Sequence, residues 1–84
     1  MKAWQFESVG APLRRVELAD PIPMANQVIV DVKAAGLCHS DVGFMDGTLT
    51  PILASVPIVL GHEVAGVVSR LGPGVTEFAI GDRV

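Results

Sequence analysis

Glycine and proline together make fifteen of the 84 residues, and they are spread as punctuation between short apolar runs. Spacing of that kind predicts a mostly β chain, because both residues interrupt regular elements and mark the turns between them. Residues 2 to 6 alternate around the large side chains Trp4 and Phe6, and Leu13 to Leu18 alternates loosely around two charges; both read as strands. Asp20-Pro21-Ile22-Pro23 is a rigid extended connection, since each proline fixes its own φ and biases the preceding residue away from helix. The cleanest strand is Val28 to Lys33, with the valines on one face and Ile29, Asp31 and Lys33 on the other, a half-buried antiparallel pattern that Gly36 is expected to break. Cys38 to Gly47 reads as a short helix, with Ser40 and Asp41 as capping candidates and Gly47 as its stop. Thr48 to Val56 is a loop, Ile58 to Leu60 and Val64 to Leu71 are further strands, Gly72-Pro73-Gly74 turns the chain, and Phe78 opens a last element with a turn at Gly81-Asp82-Arg83.

At 84 residues there is room for one small domain at most. Half of the residues are apolar, more than so short a chain can bury, which points to an oligomer interface or, the favoured reading, a domain cut from a longer protein. Six Lys and Arg stand against nine Asp and Glu, for a net charge of −3, and this argues against a nucleic-acid partner, which needs a clustered basic face. The one adjacent basic pair, Arg14-Arg15, lies between Leu13 and Val16 and reads as a solvated strand face. No membrane-spanning helix is expected: the longest stretch without an ionisable side chain, Gly47 to Gly61, contains Pro51 and Pro57. The opening Met1 to Glu7 has no apolar core of a secretory signal, and the single cysteine, Cys38, forms no internal disulfide, so a reducing, cytoplasmic location is expected.

Chemistry-bearing residues gather in two places, Cys38-His39-Ser40-Asp41 and Gly61-His62-Glu63. Thiolate and imidazole are the ligands zinc prefers. Taken singly, a lone cysteine is more often an inert buried residue, and a histidine beside a glutamate is usually structural or solvated. Two such clusters in a chain with one Cys and two His weigh against that bland reading, though composition alone is a weak signal.

The order of residues adds more. Gly36-Leu37-Cys38-His39-Ser40-Asp41, then Gly61-His62-Glu63-Val64-Ala65-Gly66, Gly72 and Val75, then Gly81-Asp82-Arg83-Val84, resembles the zinc-dependent alcohol dehydrogenases of the medium-chain dehydrogenase/reductase superfamily. Gly61 to Val75 meets every fixed position of their zinc signature: Gly-His-Glu, two residues, Gly, five residues, Gly, two residues, Val. The resemblance runs over essentially the whole chain. It implies that residues 1–84 are the N-terminal part of a GroES-like catalytic domain, a partly open, mostly antiparallel β-barrel with a short helix, incomplete at its C-terminus and without the Rossmann cofactor domain. Gly72-Pro73-Gly74 lacks the strand-turn-helix setting of a dinucleotide fingerprint, so NAD or NADP is expected to bind outside this chain.

By the same resemblance Cys38 and His62 are two of three protein ligands of a catalytic Zn²⁺, and Glu63 is a further, conditional ligand. The ion acts as a Lewis acid that lowers the pKa of a bound alcohol so that hydride can leave its carbon. Cys38 at a helix start has its thiolate favoured by the unsatisfied amides and the dipole there. Ser40 corresponds to the hydroxyl that bonds the alcohol and starts a proton relay, its bland alternative being a helix cap. Asp41 corresponds to the carboxylate that accepts the other ring proton of His62 and fixes its tautomer, or else is a first-turn acid favoured by the dipole. His39 takes a position that faces the cofactor's pyrophosphate in relatives, or is a surface histidine. The parent is expected to act on a small alcohol or aldehyde as a homo-oligomer, with the 84-residue chain inactive by itself.

Two departures bear on the substrate. Many alcohol-acting relatives carry a histidine five positions after the ligand cysteine, ending the relay, and Gly43 stands there. The proton then leaves through water, or the substrate is a polyol or another compound with a different path; the sequence leaves this open. Leu49, eleven positions after Cys38, matches a substrate-pocket position of the family, with ordinary loop packing as the favoured alternative. From another class comes a free-standing GroES-like barrel used for assembly or partner binding, which has no reason to keep Cys38, His62 and Glu63 together. A zinc-free quinone-reductase-type relative ranks last, since it should lack the Cys38 and His62 pair.

Overall fold

The computed structural model describes all residues from Met1 to Val84. Its elements are β1 (Lys2–Gln5), β2 (Arg14–Glu17), β3 (Val28–Gly36), α1 (His39–Asp46), a 3-10 turn at Thr50–Ile52 and β4 (Glu63–Leu71). They form two two-stranded sheets, β1-β2 and β3-β4, neither of them closed. Two compact units result: Met1–Ala19 with Gly36–His62, and Asp20–Ala35 with Glu63–Val84. No helix is long and apolar enough to cross a membrane.

In the first unit β1 and β2 pair antiparallel, with Lys2 opposite Glu17 and Gln5 opposite Arg14. Arg14 and Arg15 are exposed, as expected of a solvated face. Arg14 donates to Glu7 at 2.9 Å, an exposed pair of little energetic consequence. Phe6, next after β1, is the buried centre of this unit at 1 % exposure. Its amide and carbonyl exchange hydrogen bonds with those of Ile58, at 2.8 and 3.0 Å. That single bridge replaces the strand expected at Ile58 to Leu60, because the backbone beyond Ile58 leaves the pairing and lines a cavity instead.

Helix α1 stops, as expected, at a left-handed Gly47 with φ 103°. Its start corrects the sequence reading. Cys38 is the N-cap residue in extended conformation, so Ser40 lies inside the first turn and caps nothing, while Asp41 occupies the third helical position and reaches back to the Cys38 amide. At the other end the Thr48 amide donates to Asp46 at 2.9 Å. The amide and hydroxyl of Thr48 hold the Asp46 carboxyl below the usual carboxylate range, with a smaller attraction from His39.

The second unit is built on β3 and β4. Gly66 faces Asp31 and Gly72 donates to the Gln27 carbonyl at 2.8 Å, so β4 runs against β3. The strand runs past Lys33 and ends, as expected, at Gly36. The expected alternation of burial is also absent: Val28, Ile29 and Val30 are all half-buried and every residue from Asp31 onward is exposed. Burial follows distance along the strand, not side-chain parity. Val68 on β4 is fully buried, its amide bonded to the Asp82 carbonyl at 2.9 Å and its carbonyl accepting from Gly81 at 2.8 Å. The turn at Gly72-Pro73-Gly74 and the turn before Arg83 fall where the sequence places them.

Candidate metal centre

The first unit brings four of the expected residues together from two segments, the N-terminal turn of α1 and the loop that ends at His62. Gly61, at φ 122°, supplies a left-handed bend that a side chain would strain, and this delivers the imidazole beside the helix start. The Cys38 sulfur and a ring nitrogen of His62 lie within 4.8 Å of one another. The Ser40 hydroxyl sits between them, donating to Cys38 Sγ at 3.2 Å and standing 3.4 Å from His62 Nε2.

Asp41 sets the other side of the imidazole. It is 4 % exposed. Its Oδ2 accepts from the Cys38 amide at 3.1 Å, while Oδ1 lies 3.3 Å from His62 Nδ1. That approach is close enough for an ion pair but too poorly aligned for a hydrogen bond, which leaves Oδ1 as a buried polar atom without one. A buried carboxylate oxygen in that state is costly, and the group within reach that relieves it is an Nδ1–H on His62. A proton on Nδ1 leaves the Nε2 lone pair directed to the side of Ser40 and Cys38. One carboxylate thus orients both the cysteine backbone and the histidine ring.

A soft sulfur and a neutral imidazole nitrogen on one side of a helix N-terminus form the donor set zinc takes, and the unrelieved Asp41 oxygen is what a histidine ligand's outer nitrogen needs. The residues therefore fit the metal. Glu63 is the first residue of β4, exposed, and follows His62 directly in the chain. His39 is exposed on the first turn of α1.

Beside this centre the first unit holds a cavity of about 300 Å³. Ser40 and His62 stand at it, together with Phe44 from α1, Leu53, and the segment Ile58 to Gly61. Leu49 is not among them. Its side chain lies instead over Gly43, where Leu49 Cδ1 is 2.9 Å from the place a Cβ would occupy. The loop-packing alternative for Leu49 is the one realised, and the absence of a side chain at residue 43 is what makes room for it. Sequence reasoning missed the actual lining. Phe44 was within reach of it, because it lies four residues after Ser40 and so shares that helix face; Ile58 to Leu60 was an apolar run read as a strand.

Residues 24–84 match the family described as alcohol dehydrogenase GroES-like domain. The chain is 39 % identical over 84 residues to an alcohol dehydrogenase of Geobacillus stearothermophilus, covering all of the chain and 25 % of that protein. It is 42 % identical over 77 residues to a probable D-xylulose reductase A of Arthroderma otae, covering 86 % of the chain and 22 % of that protein. A cobalt- and zinc-bound thermostable alcohol dehydrogenase from Pyrobaculum aerophilum superposes with a TM-score of 0.88 at 36 % identity, covering all of the chain and 25 % of that structure. The chain thus spans about a quarter of the length of the relatives it matches.

Proposed function

The chain belongs to the alcohol dehydrogenase GroES-like domain family and carries its fold, mostly β with one short helix, and from that premise we propose that it is the N-terminal, metal-holding part of a zinc-dependent enzyme that interconverts alcohols and carbonyl compounds with NAD or NADP. The observation that carries this reading is the convergence of Cys38, Ser40 and His62, with Asp41 buried behind the imidazole. Cys38 and His62 hold the ion, with Glu63 as the conditional third donor from this chain. Zinc, when bound, supplies a Lewis acid for the substrate oxygen. Ser40, between the two ligands and at the cavity, positions the substrate hydroxyl and takes up its proton. Because Gly43 is closed over by Leu49, the proton passes from Ser40 to water and not to a side chain at residue 43. His39, exposed at the helix start, faces the cofactor's phosphates and offers them a ring N–H. The 84-residue chain is inactive by itself, since the cofactor binds elsewhere.

The test is made on purified full-length protein carrying this chain. It is expected to contain zinc, to reduce NAD or NADP when given a primary alcohol, to lose that activity to a chelator and to regain it with added zinc. Protein that holds no zinc and oxidises no alcohol with either cofactor would place the assembly-module reading first.

A narrower expectation concerns Asp41. Asp41→Asn keeps an acceptor for the Cys38 amide but presents either a neutral oxygen or an NH₂ group to His62 Nδ1. Loss of the oriented tautomer is expected to weaken zinc affinity by roughly 10- to 100-fold, measured by competition with a chelator. Unchanged affinity would show that His62 is oriented by something other than Asp41.

A further inference from the structure

Resting on the metal-centre reading above, we infer that Phe6 is the residue that positions the His62 imidazole beside Cys38 and Ser40, acting through the backbone of Ile58. Ser40 and Asp41 lie on α1, with Cys38 as its N-cap. His62 has no such support in this unit. It ends the stretch from Leu53, which forms neither helix nor strand and carries a single bridge at Ile58. Between Ala54 and Gly61 the backbone makes one exchange of hydrogen bonds with the rest of the protein: the Phe6 amide donates to the Ile58 carbonyl at 2.8 Å, and the Ile58 amide donates to the Phe6 carbonyl at 3.0 Å.

The residues between the bridge and His62 add little stiffness of their own. Val59 is exposed. Gly61, next to His62, has the freest backbone of any residue type, and no atom lies within 4 Å of the place its Cβ would take. Four residues of free chain reach about 14 Å. Without the bridge the imidazole would therefore range far beyond the 3.3 Å at which it meets Asp41 and the 3.4 Å at which it meets Ser40. Phe6 is suited to be the fixed point. It follows β1, whose last residue, Gln5, pairs with Arg14 of β2, and its side chain is 1 % exposed, one of the two large side chains that are fully buried. Two backbone hydrogen bonds are only a modest net gain against water, so burial of the ring is what makes the crossing with Ile58 persist.

Full-length protein carrying Phe6→Ala, Phe6→Leu or Val68→Ala is compared with the parent. Val68 is the other fully buried side chain and lies in the second unit, so Val68→Ala controls for lost stability alone. Zinc affinity is measured by competition with a chelator. Phe6→Ala is expected to weaken it about tenfold, the cost of ordering one backbone residue anew on binding, Phe6→Leu about threefold, and Val68→Ala less than about twofold. In metal-free protein the backbone NMR order parameters of Val59 to His62 are expected to fall from about 0.85 to below about 0.6 in Phe6→Ala and to hold in Val68→Ala. Zinc affinity unchanged in Phe6→Ala, or weakened equally in Val68→Ala, overturns the inference. Should Phe6→Ala not fold, Phe6→Leu carries the same comparison, and an affinity no weaker than that of Val68→Ala overturns it. If the parent binds no zinc, the metal-centre reading falls and the order parameters decide alone. Loosening by Phe6→Ala and not by Val68→Ala then keeps Phe6 as the anchor of His62, and no such difference removes it.

Discussion

His62→Ala in the full-length protein is expected to abolish zinc retention and to lower kcat/KM for alcohol oxidation by roughly 10⁴-fold or more, the equivalent of the several kcal/mol of charge stabilisation a catalytic metal contributes. The loss should be chemical and not structural. The His62 side chain is 47 % exposed, so its truncation removes little packing. Removing the imidazole also withdraws the group that faces Asp41 Oδ1, so some of the cost of that buried oxygen appears as a small loss in melting temperature. His62→Cys supplies a soft donor at the same point and should recover part of the zinc content, which no purely structural role for the ring predicts. A His62→Ala protein that keeps its zinc and its turnover would remove this residue from the metal centre.

Gly66→Ala is expected to lower the stability of the unit containing β3 and β4 by about 3 kcal/mol, toward the upper end of what overpacking costs. A methyl at residue 66 would overlap the Asp31 carbonyl oxygen and lie 2.7 Å from Val30 Cγ1. Backbone cannot move aside as a side-chain tip can, so β4 has to separate from β3 or slip. The consequence is a fall in melting temperature of roughly 5 °C, read by calorimetry on the full-length protein. Two comparisons isolate the cause. Gly81→Ala meets nothing within 4 Å but sits at φ 97°, so it carries backbone strain alone and should cost only about 1 kcal/mol. Adding Val30→Ala to Gly66→Ala removes the side-chain overlap and leaves the carbonyl overlap, so it should restore little. Gly66→Ala as stable as the parent would mean that β3 and β4 approach less closely at this point.

Gly66 shows how sequence and structure divide the explanation. Its place in the zinc signature was legible from spacing alone, yet spacing gives no reason for a glycine there; the reason is a carbonyl on a strand more than thirty residues away. Ser40 is similar. As a residue two positions after the cysteine it was legible as a hydroxyl near a metal ligand or as a cap, and the two readings separate only when Cys38 is seen to be the N-cap residue and Ser40 to lie between sulfur and imidazole. Leu49 was legible as apolar and near the site, with loop packing the favoured reading, but its partner was not, because Gly43 is a residue with no side chain to signal the contact. Ile58 to Leu60 carried a strand-like apolar run, and a run of three apolar residues reads alike whether it pairs along its length or, as here, pairs once with Phe6 and then lines a cavity.

By itself the sequence determined the mostly β class, the short helix closed by Gly47, the turns at Gly72-Pro73-Gly74 and before Arg83, and the family, since all of these depend on residue types at fixed short spacings. Tertiary structure alone decided that Cys38, Ser40 and His62 converge with Asp41 behind the ring, that Leu49 fills the space at Gly43, and that Phe44, Leu53 and Ile58 to Leu60 line an open apolar cleft. The physical reason is range. Propensity, capping and glycine geometry act over a few bonds and leave their mark in local order. The relief of a buried carboxylate oxygen, the contact of a leucine with a bare helix turn and the lining of a cleft depend on which distant segments share a volume, and that is set by the packing of the whole unit.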